Sequence, residues 1–174
     1  MIIRAARAED AVAIRDIVNA LVRDSLVTFT TVQKTSEQVR MDIAGAPGQY
    51  LVAEQAGKVV GHAHFGAFRG GPGYRHTAEH TIHLAPTVLG KGVGRALLVA
   101  LEQVAAQAGI HVLVAAISGA NSAGMRFHLA MGYSEVGRLP QVGFKDDQWL
   151  DMVLMQKILP QGSDLNPDSF VEEG

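Results

Sequence analysis

The apolar positions of the chain follow two periods. "IIRAA" reads as a short strand, and the segment after it repeats apolar residues at Ile14, Ile17, Val18, Leu21 and Val22, the spacing of one buried helix face. Thr35 and Gln38 are spaced as a capping box, which predicts a second helix opening at Thr35 and stopping before Pro47-Gly48. In "YLVAEQAGKVVGHAHFGAF" two alternating or β-branched runs flank a turn around Gly57-Lys58 and predict a hairpin. "RGGPGYRH" is too rich in Gly and Pro for either element. "TAEHTIHLA" alternates as a strand that ends at Pro86. This puts Glu79, Thr81 and His83 on one face and His80, Ile82 and Leu84 on the other.

Val93, Ala96, Leu97, Ala100, Leu101, Val104 and Ala108 then form a helical stripe that Gly109 closes. "HVLVAAI" reads as a buried strand and Asn121 to Met131 as a helix ending at Gly132. "YSEVG" and "QWLDMVLMQKI" read as the last two strands. The order β-α-α-β-β-β-α-β-α-β-β is that of an α/β fold, a mixed sheet with helices packed against it.

Composition narrows the classes. At 174 residues and 48% hydrophobic, the chain suits one domain with a sizeable core. Lys plus Arg number 15 against 17 Asp plus Glu, without a basic run, which argues against a nucleic-acid partner. No apolar stretch approaches the roughly 20 residues that span a bilayer, and "MIIRAARAED" lacks the pattern of a secretion signal. A cytoplasmic protein without a membrane partner is expected. Zero cysteines exclude disulfides, thiolate metal sites and a cysteine nucleophile. From residue 160 the tail "PQGSDLNPDSFVEEG" carries acid but no Lys or Arg and reads as disordered, leaving residues 1–159 as the domain.

The stretch "LGKGVGRALL" concentrates the candidate chemistry. A phosphate-binding P-loop needs G-x-x-x-x-G-K-[ST], and Lys91 has neither that spacing nor a following Ser or Thr. A dinucleotide fingerprint needs glycine where Arg95 stands and an acidic residue about 20 positions on, where the chain is apolar. Two readings stay open. One is a tight strand-to-helix turn without a ligand; the other is an anion site made by unblocked N–H groups at the positive end of a helix.

The same stretch resembles the acyl-CoA pyrophosphate loop of the GNAT acyltransferase superfamily, [Arg or Gln]-x-x-Gly-x-[Gly or Ala] followed by a helix. Gly92 and Gly94 fill its glycine positions, and Leu89 departs from the basic or amide position. "ANSAGMRFHLAMGY" is similar to the superfamily's second half, with Asn121 and Gly132-Tyr133 matching. "YRHTAEHTIHLAP", "HVLVAAI" and "WLDMVLMQ" look like the phosphinothricin and methionine sulfoximine N-acetyltransferase branch, with a departure at "KDDQWLD". The resemblance implies a GNAT fold over about residues 1–159 and a homodimer. It also implies acetyl-CoA held by Leu84, Asn121 and the loop Leu89, Gly90, Lys91, Gly92, Val93, Gly94 and Arg95. The acceptor would be the α-amine of a small amino-acid analogue. Acetylation of another small amine, or a non-catalytic acyl-CoA sensor, are the alternatives.

Such an amine must lose a proton to attack a thioester, at a cost of about 4 kcal/mol at neutral pH for a pKa of about 10. Glu79, on the strand leading to the loop, is the candidate base; as a strand carboxylate it could instead pair with Arg75 or a histidine. By resemblance His128 occupies the position of the acid that protonates the leaving thiolate, or else it orders the pantetheine. Arg75 is the candidate for binding substrate oxygens in a fork, against a plain surface role. The thioester carbonyl needs a backbone donor, which the resemblance places near Leu84 at the end of the strand. His62, His64, His80 and His83 raise a metal question. His80 and His83 point to opposite faces, and no carboxylate falls in a ligand pattern, so no metal is expected. Tyr133 reads as packing, and Trp149 as a core or subunit-contact aromatic.

Overall fold

The computed structural model describes residues 1–160, so the acidic tail falls, apart from Pro160, outside the described residues. The strands are β1 (Ile2–Ala5), β2 (Tyr50–Gln55), β3 (Lys58–Ala67), β4 (Thr77–Leu84), β5 (Val112–Ser118), β6 (Ser134–Lys145) and β7 (Gln148–Ile158). The helices are α1 (Ala11–Asp24), α2 (Ser36–Gly45), α3 (Val93–Gln107) and α4 (Ser122–Ala130). Their order is the one the hydrophobic pattern predicts.

Local chemistry explains the boundaries. Thr35 Oγ1 accepts from the Gln38 N–H at 3.1 Å while Gln38 Oε1 accepts from the Thr35 N–H at 2.8 Å, the reciprocal box that starts α2. Ala56 (φ 49°) and Gly57 (φ 74°) make the two-residue turn of the β2–β3 hairpin, one position earlier than expected. Asp146 (φ 51°) and Asp147 (φ 59°) turn β6 into β7 in the same manner, and aspartate tolerates this backbone better than most residues.

Three expectations need correction. On α3, Leu98 and Ala105 are fully buried, whereas Ala96, Ala100 and Val104 are only partly so and Ala108 is exposed. The buried stripe is wider because α3 packs on the sheet and also, at Gly94, against Phe127 of α4. β6 runs well past "YSEVG", through Pro140, to Lys145. A proline is tolerated because β6 is an edge strand whose register with β7 breaks between Leu139 and Gly143. Trp149 is not a core residue: it is 63% exposed and packs on Phe144.

The sheet order is β1-β2-β3-β4-β5-β7-β6, and β4 and β5 form its parallel pair. That pair runs only from Thr77↔Val112 to His80↔Ala115. Beyond it β4 stays with β3 as far as Leu84, and β5 stays with β7 as far as Ser118. A wedge therefore opens in the middle of the sheet.

Helices cover both faces. Leu97, Leu98 and Leu101 of α3 pack against Leu51, Ala63, Phe65, Leu113, Val153 and Met155. Each such leucine contributes roughly 1.5–3 kcal/mol by burial. On the other face Ala11 and Ile14 of α1 and Val39 of α2 cover Tyr50 and Val52. Arg4 locks the sheet edge to α1: its guanidinium forks onto buried Asp10 at 2.8 and 2.9 Å and reaches Glu54 at 2.9 Å. Asp10 also accepts from the Arg7 N–H at 2.7 Å. These bonds, the Arg4 pair first, hold the Asp10 carboxyl below its ordinary range.

Candidate active site

The wedge opens into a cavity of about 930 Å³. One wall is the end of β4, Glu79 to Leu84; another is β5 from Ala115 to Ser118. The loop before α3 and the first turns of α4 close one end, and Val27, Thr28 and Phe29, between α1 and α2, close the other.

Each glycine of the loop has its own reason. Gly90 (φ 72°) and Gly92 (φ 78°) adopt left-handed backbone that costs other residues 1–2 kcal/mol, roughly. Gly94 is helical, but a Cβ there would meet Leu84 Cδ1 at 3.2 Å and Phe127 at 3.4 Å, so its bareness lets α3 approach β4. The first N–H bonded within this turn of helix is that of Ala96, to Gly92 O, at 3.1 Å. Those of Val93, Gly94 and Arg95 carry the helix's unspent donors and partial positive charge. Arg95 and Arg126 line the same end as cations. This donor set fits a phosphate ester. Lys91 and Val93 do not line the cavity: the Lys91 N–H is taken by Val88 O at 3.3 Å, and the Val93 side chain is buried in the core. Leu89 lines the cavity as an exposed apolar side chain.

The β4 edge supplies further donors. The Ala85 N–H bonds to Val60 O at 2.8 Å, and the alternation of the β3–β4 ladder turns the N–H groups of Leu84 and Ile82 away from β3, into the wedge. Glu79 is exposed at the mouth, and partial desolvation raises its carboxyl above the ordinary value. Asn121 caps α4 by accepting from the Gly124 N–H at 2.8 Å while lining the cavity.

His128 is buried. Its Nδ1 lies 2.8 Å from Gly124 O and its Nε2 lies 3.1 Å from His80 Nε2. A carbonyl only accepts, so Nδ1 of His128 carries the proton and its Nε2 accepts from His80. Burial lowers both rings, His80 to about 3. Tyr133 packs against both, as its reading as a packing residue implied.

Glu79, His128, Leu84, Leu89, Gly90, Gly92, Gly94, Arg95 and Asn121 thus share one cavity, and Arg75 does not. It faces a smaller depression of about 400 Å³ with Arg69 and Tyr74, and its Nε donates to His76 Nε2 at 2.9 Å rather than pairing with Glu79. His62 and His64 stack with Tyr50 on the α1/α2 face, and His83 meets the His62 ring edge-on. Burial holds His64 and His83 near about 4 and His62 well below its ordinary value. Among the described residues no cluster of His, Cys, Asp or Glu is placed to hold a metal ion. The pattern reading missed Arg126, visible only once α4 turns it toward the cavity, and the His80–His128 contact, which depends on strand-to-helix distance.

Residues 3–154 match the Acetyltransferase (GNAT) domain family. The chain belongs to that family. It is 37% identical to an L-amino acid N-acyltransferase of Escherichia coli K12, over 98% of this chain and 99% of the relative. It is also 37% identical to the L-methionine sulfoximine/L-methionine sulfone acetyltransferase of Salmonella typhimurium, over 90% and 93%. Among solved structures, a phosphinothricin acetyltransferase of Sinorhizobium meliloti in complex with acetyl-CoA superposes with a TM-score of 0.87 at 31% identity, covering 98% of this chain and 94% of that one. The central wedge and the glycine loop both lie within the stretch that matches this family.

Proposed function

We propose that residues 1–159 form a unit that transfers acetyl from acetyl-CoA to the α-amine of a small amino-acid analogue of the methionine sulfoximine or phosphinothricin type. The observation that carries this reading is the shared cavity, lined both by Glu79, an exposed residue, and by the glycine loop with its unspent N–H groups. The relatives' named substrates support the acceptor class.

Acetyl-CoA lies with its pyrophosphate on the N–H groups of Gly92 to Arg95, with Arg95 and Arg126 offsetting the missing cation at Leu89, and its pantetheine beside Asn121. Glu79 takes the amine proton, directly or through water, as nitrogen bonds to the thioester carbon. The oxyanion is met by the Leu84 N–H. Collapse breaks the C–S bond, and the thiolate takes its proton from solvent. Both His128 nitrogens are engaged with protein partners, which favours the ordering role over proton donation. Arg75 contributes only if its loop or a second subunit brings it to the cavity. Val136, Val142, Phe144 and Trp149 on the β6–β7 hairpin are exposed apolar residues suited to a homodimer contact. Among the described residues no helix is long and apolar enough to cross a membrane, in keeping with a cytoplasmic enzyme acting on small molecules.

The test is thiol release from acetyl-CoA with methionine sulfoximine, phosphinothricin and a panel of amino acids and amines. Saturable release with either analogue is expected. Bound acetyl-CoA without release across the panel would overturn the reading in favour of a sensor.

A further inference from the structure

Val27, Thr28 and Phe29 form the wall of the cavity opposite the glycine loop, yet they belong to a stretch with no helix or strand of its own. Irregular backbone holds a shape only where its polar groups find partners. At the far end of this stretch Asn19 supplies them, donating to Lys34 O and accepting from the Lys34 N–H, both at 2.9 Å. At the near end Ser25 Oγ donates to Leu21 O at 2.7 Å.

The middle is held from β6. Lys145, only 3% exposed, donates to Val22 O at 2.8 Å, Ser25 O at 2.7 Å and Thr28 O at 3.2 Å. Its three N–H bonds thus meet three carbonyls, one of them at the negative end of α1. Two residues earlier on the same strand, a Cβ on Gly143 would lie 2.6 Å from Phe29 Cδ2, so the bare glycine makes room for the ring. Neither Lys145 nor Gly143 lines the cavity.

We propose that Lys145 and Gly143 are positioning residues which set the acceptor-side wall, Val27 to Phe29, and so determine which amines fit against Glu79. The inference rests on the acetyltransfer reading above. Removing the ammonium takes the lysine donor from one buried and two half-buried carbonyls and frees the wall. Adding a methyl at position 143 pushes the Phe29 ring instead. Both changes act on the acceptor end, and neither touches the glycine loop.

The experiment compares wild type with Lys145→Met, Gly143→Ala, Phe29→Ala and the Gly143→Ala/Phe29→Ala double variant. Readouts are acceptor KM and kcat, acetyl-CoA Kd by calorimetry, and amide exchange over residues 21–30. Gly143→Ala is expected to raise acceptor KM about tenfold while acetyl-CoA Kd stays within about twofold. In the Phe29→Ala background, where no ring meets the new methyl, the same substitution is expected to be silent. Lys145→Met is expected to raise acceptor KM and speed exchange over residues 21–30, leaving α3 unchanged.

The proposal is overturned if Gly143→Ala costs as much without the Phe29 ring, or if acetyl-CoA Kd rises in step with acceptor KM. Should Lys145→Met fail to fold, the Gly143–Phe29 cycle decides. If wild type turns over no acceptor, the acetyltransfer reading fails by itself, and unchanged exchange in Lys145→Met then overturns the anchoring claim.

Discussion

The Nε2 atoms of His80 and His128 meet at 3.1 Å inside the cavity wall, and the His128 proton is committed to Gly124 O on its other side. With both rings neutral, His80 supplies the bridging proton, and its ring also lies against the backbone of Val114. The pair is built from neutral rings. His62, His64 and His83 are likewise lowered, chiefly by burial.

Acid sensitivity follows. In the unfolded chain each of these rings takes up its proton near pH 6.5, whereas in the folded chain it does so near 4 or below, as for His64, His83 and His80. Between those values the unfolded chain binds more protons, so stability is full above pH 6.5 and is lost as pH falls toward 4. Urea midpoints measured from pH 7.5 to 4.5 are expected to hold and then drop, with a shallower drop in His62→Phe. A flat profile would contradict the neutral cluster.

Glu79→Gln keeps the shape of the side chain and removes the base. If Glu79 takes the amine proton, kcat falls about 100-fold or more while acetyl-CoA Kd is unchanged. Because the wild-type carboxyl titrates above its ordinary value, the acid limb of the rate profile lies above the usual glutamate range and rises with pH. Unaltered turnover in the variant would remove Glu79 from the mechanism.

The periodic elements were legible because burial writes itself into spacing: Ile14, Ile17 and Val22, or the alternation of Glu79 and His80, need no tertiary information. The glycine loop was legible as a backbone device, but the division of labour within it was not. Gly92 serves the turn and Gly94 the approach of Leu84 and Phe127, which only packing reveals. Nothing in the sequence around Lys145 marks it as an anchor. Its partners lie more than a hundred residues upstream, and no local pattern encodes them.

Gly92→Ala places a Cβ on a left-handed residue at the N-cap of α3. Stability is expected to fall by about 1 kcal/mol, with a parallel loss of acetyl-CoA affinity as the loop shifts. Thermal denaturation and calorimetry read the two effects, and an intact Kd would separate loop geometry from cofactor binding.

Leu89 stands 61% exposed at the cavity end that carries Arg95. Leu89→Arg adds a cation there and is expected to tighten acetyl-CoA binding about fivefold at low salt, with the gain shrinking as salt rises. A titration at two ionic strengths checks it; no gain at either would place the phosphates elsewhere.

Asp10→Ala leaves Arg4 facing Glu54 alone and frees the Arg7 N–H. Breaking this largely buried pair is expected to cost about 3 kcal/mol, read as a lower urea midpoint with acetyl-CoA affinity unchanged in the folded fraction. A cost of a few tenths would show the fork to be mere surface pairing.

The bond from Lys145 to Val22 spans 123 positions of sequence. During synthesis the chain exposes α1, β4 and the glycine loop well before residue 145 exists. Yet α3, which carries that loop, packs on Val153 and Met155 of β7, so the half of the cavity that would recognise a cofactor and the half that would discriminate among acceptors are completed together, after residue 145. A truncation near the β6–β7 turn would forfeit both at once, because it removes an interior strand of the sheet along with the stretch that holds the wall.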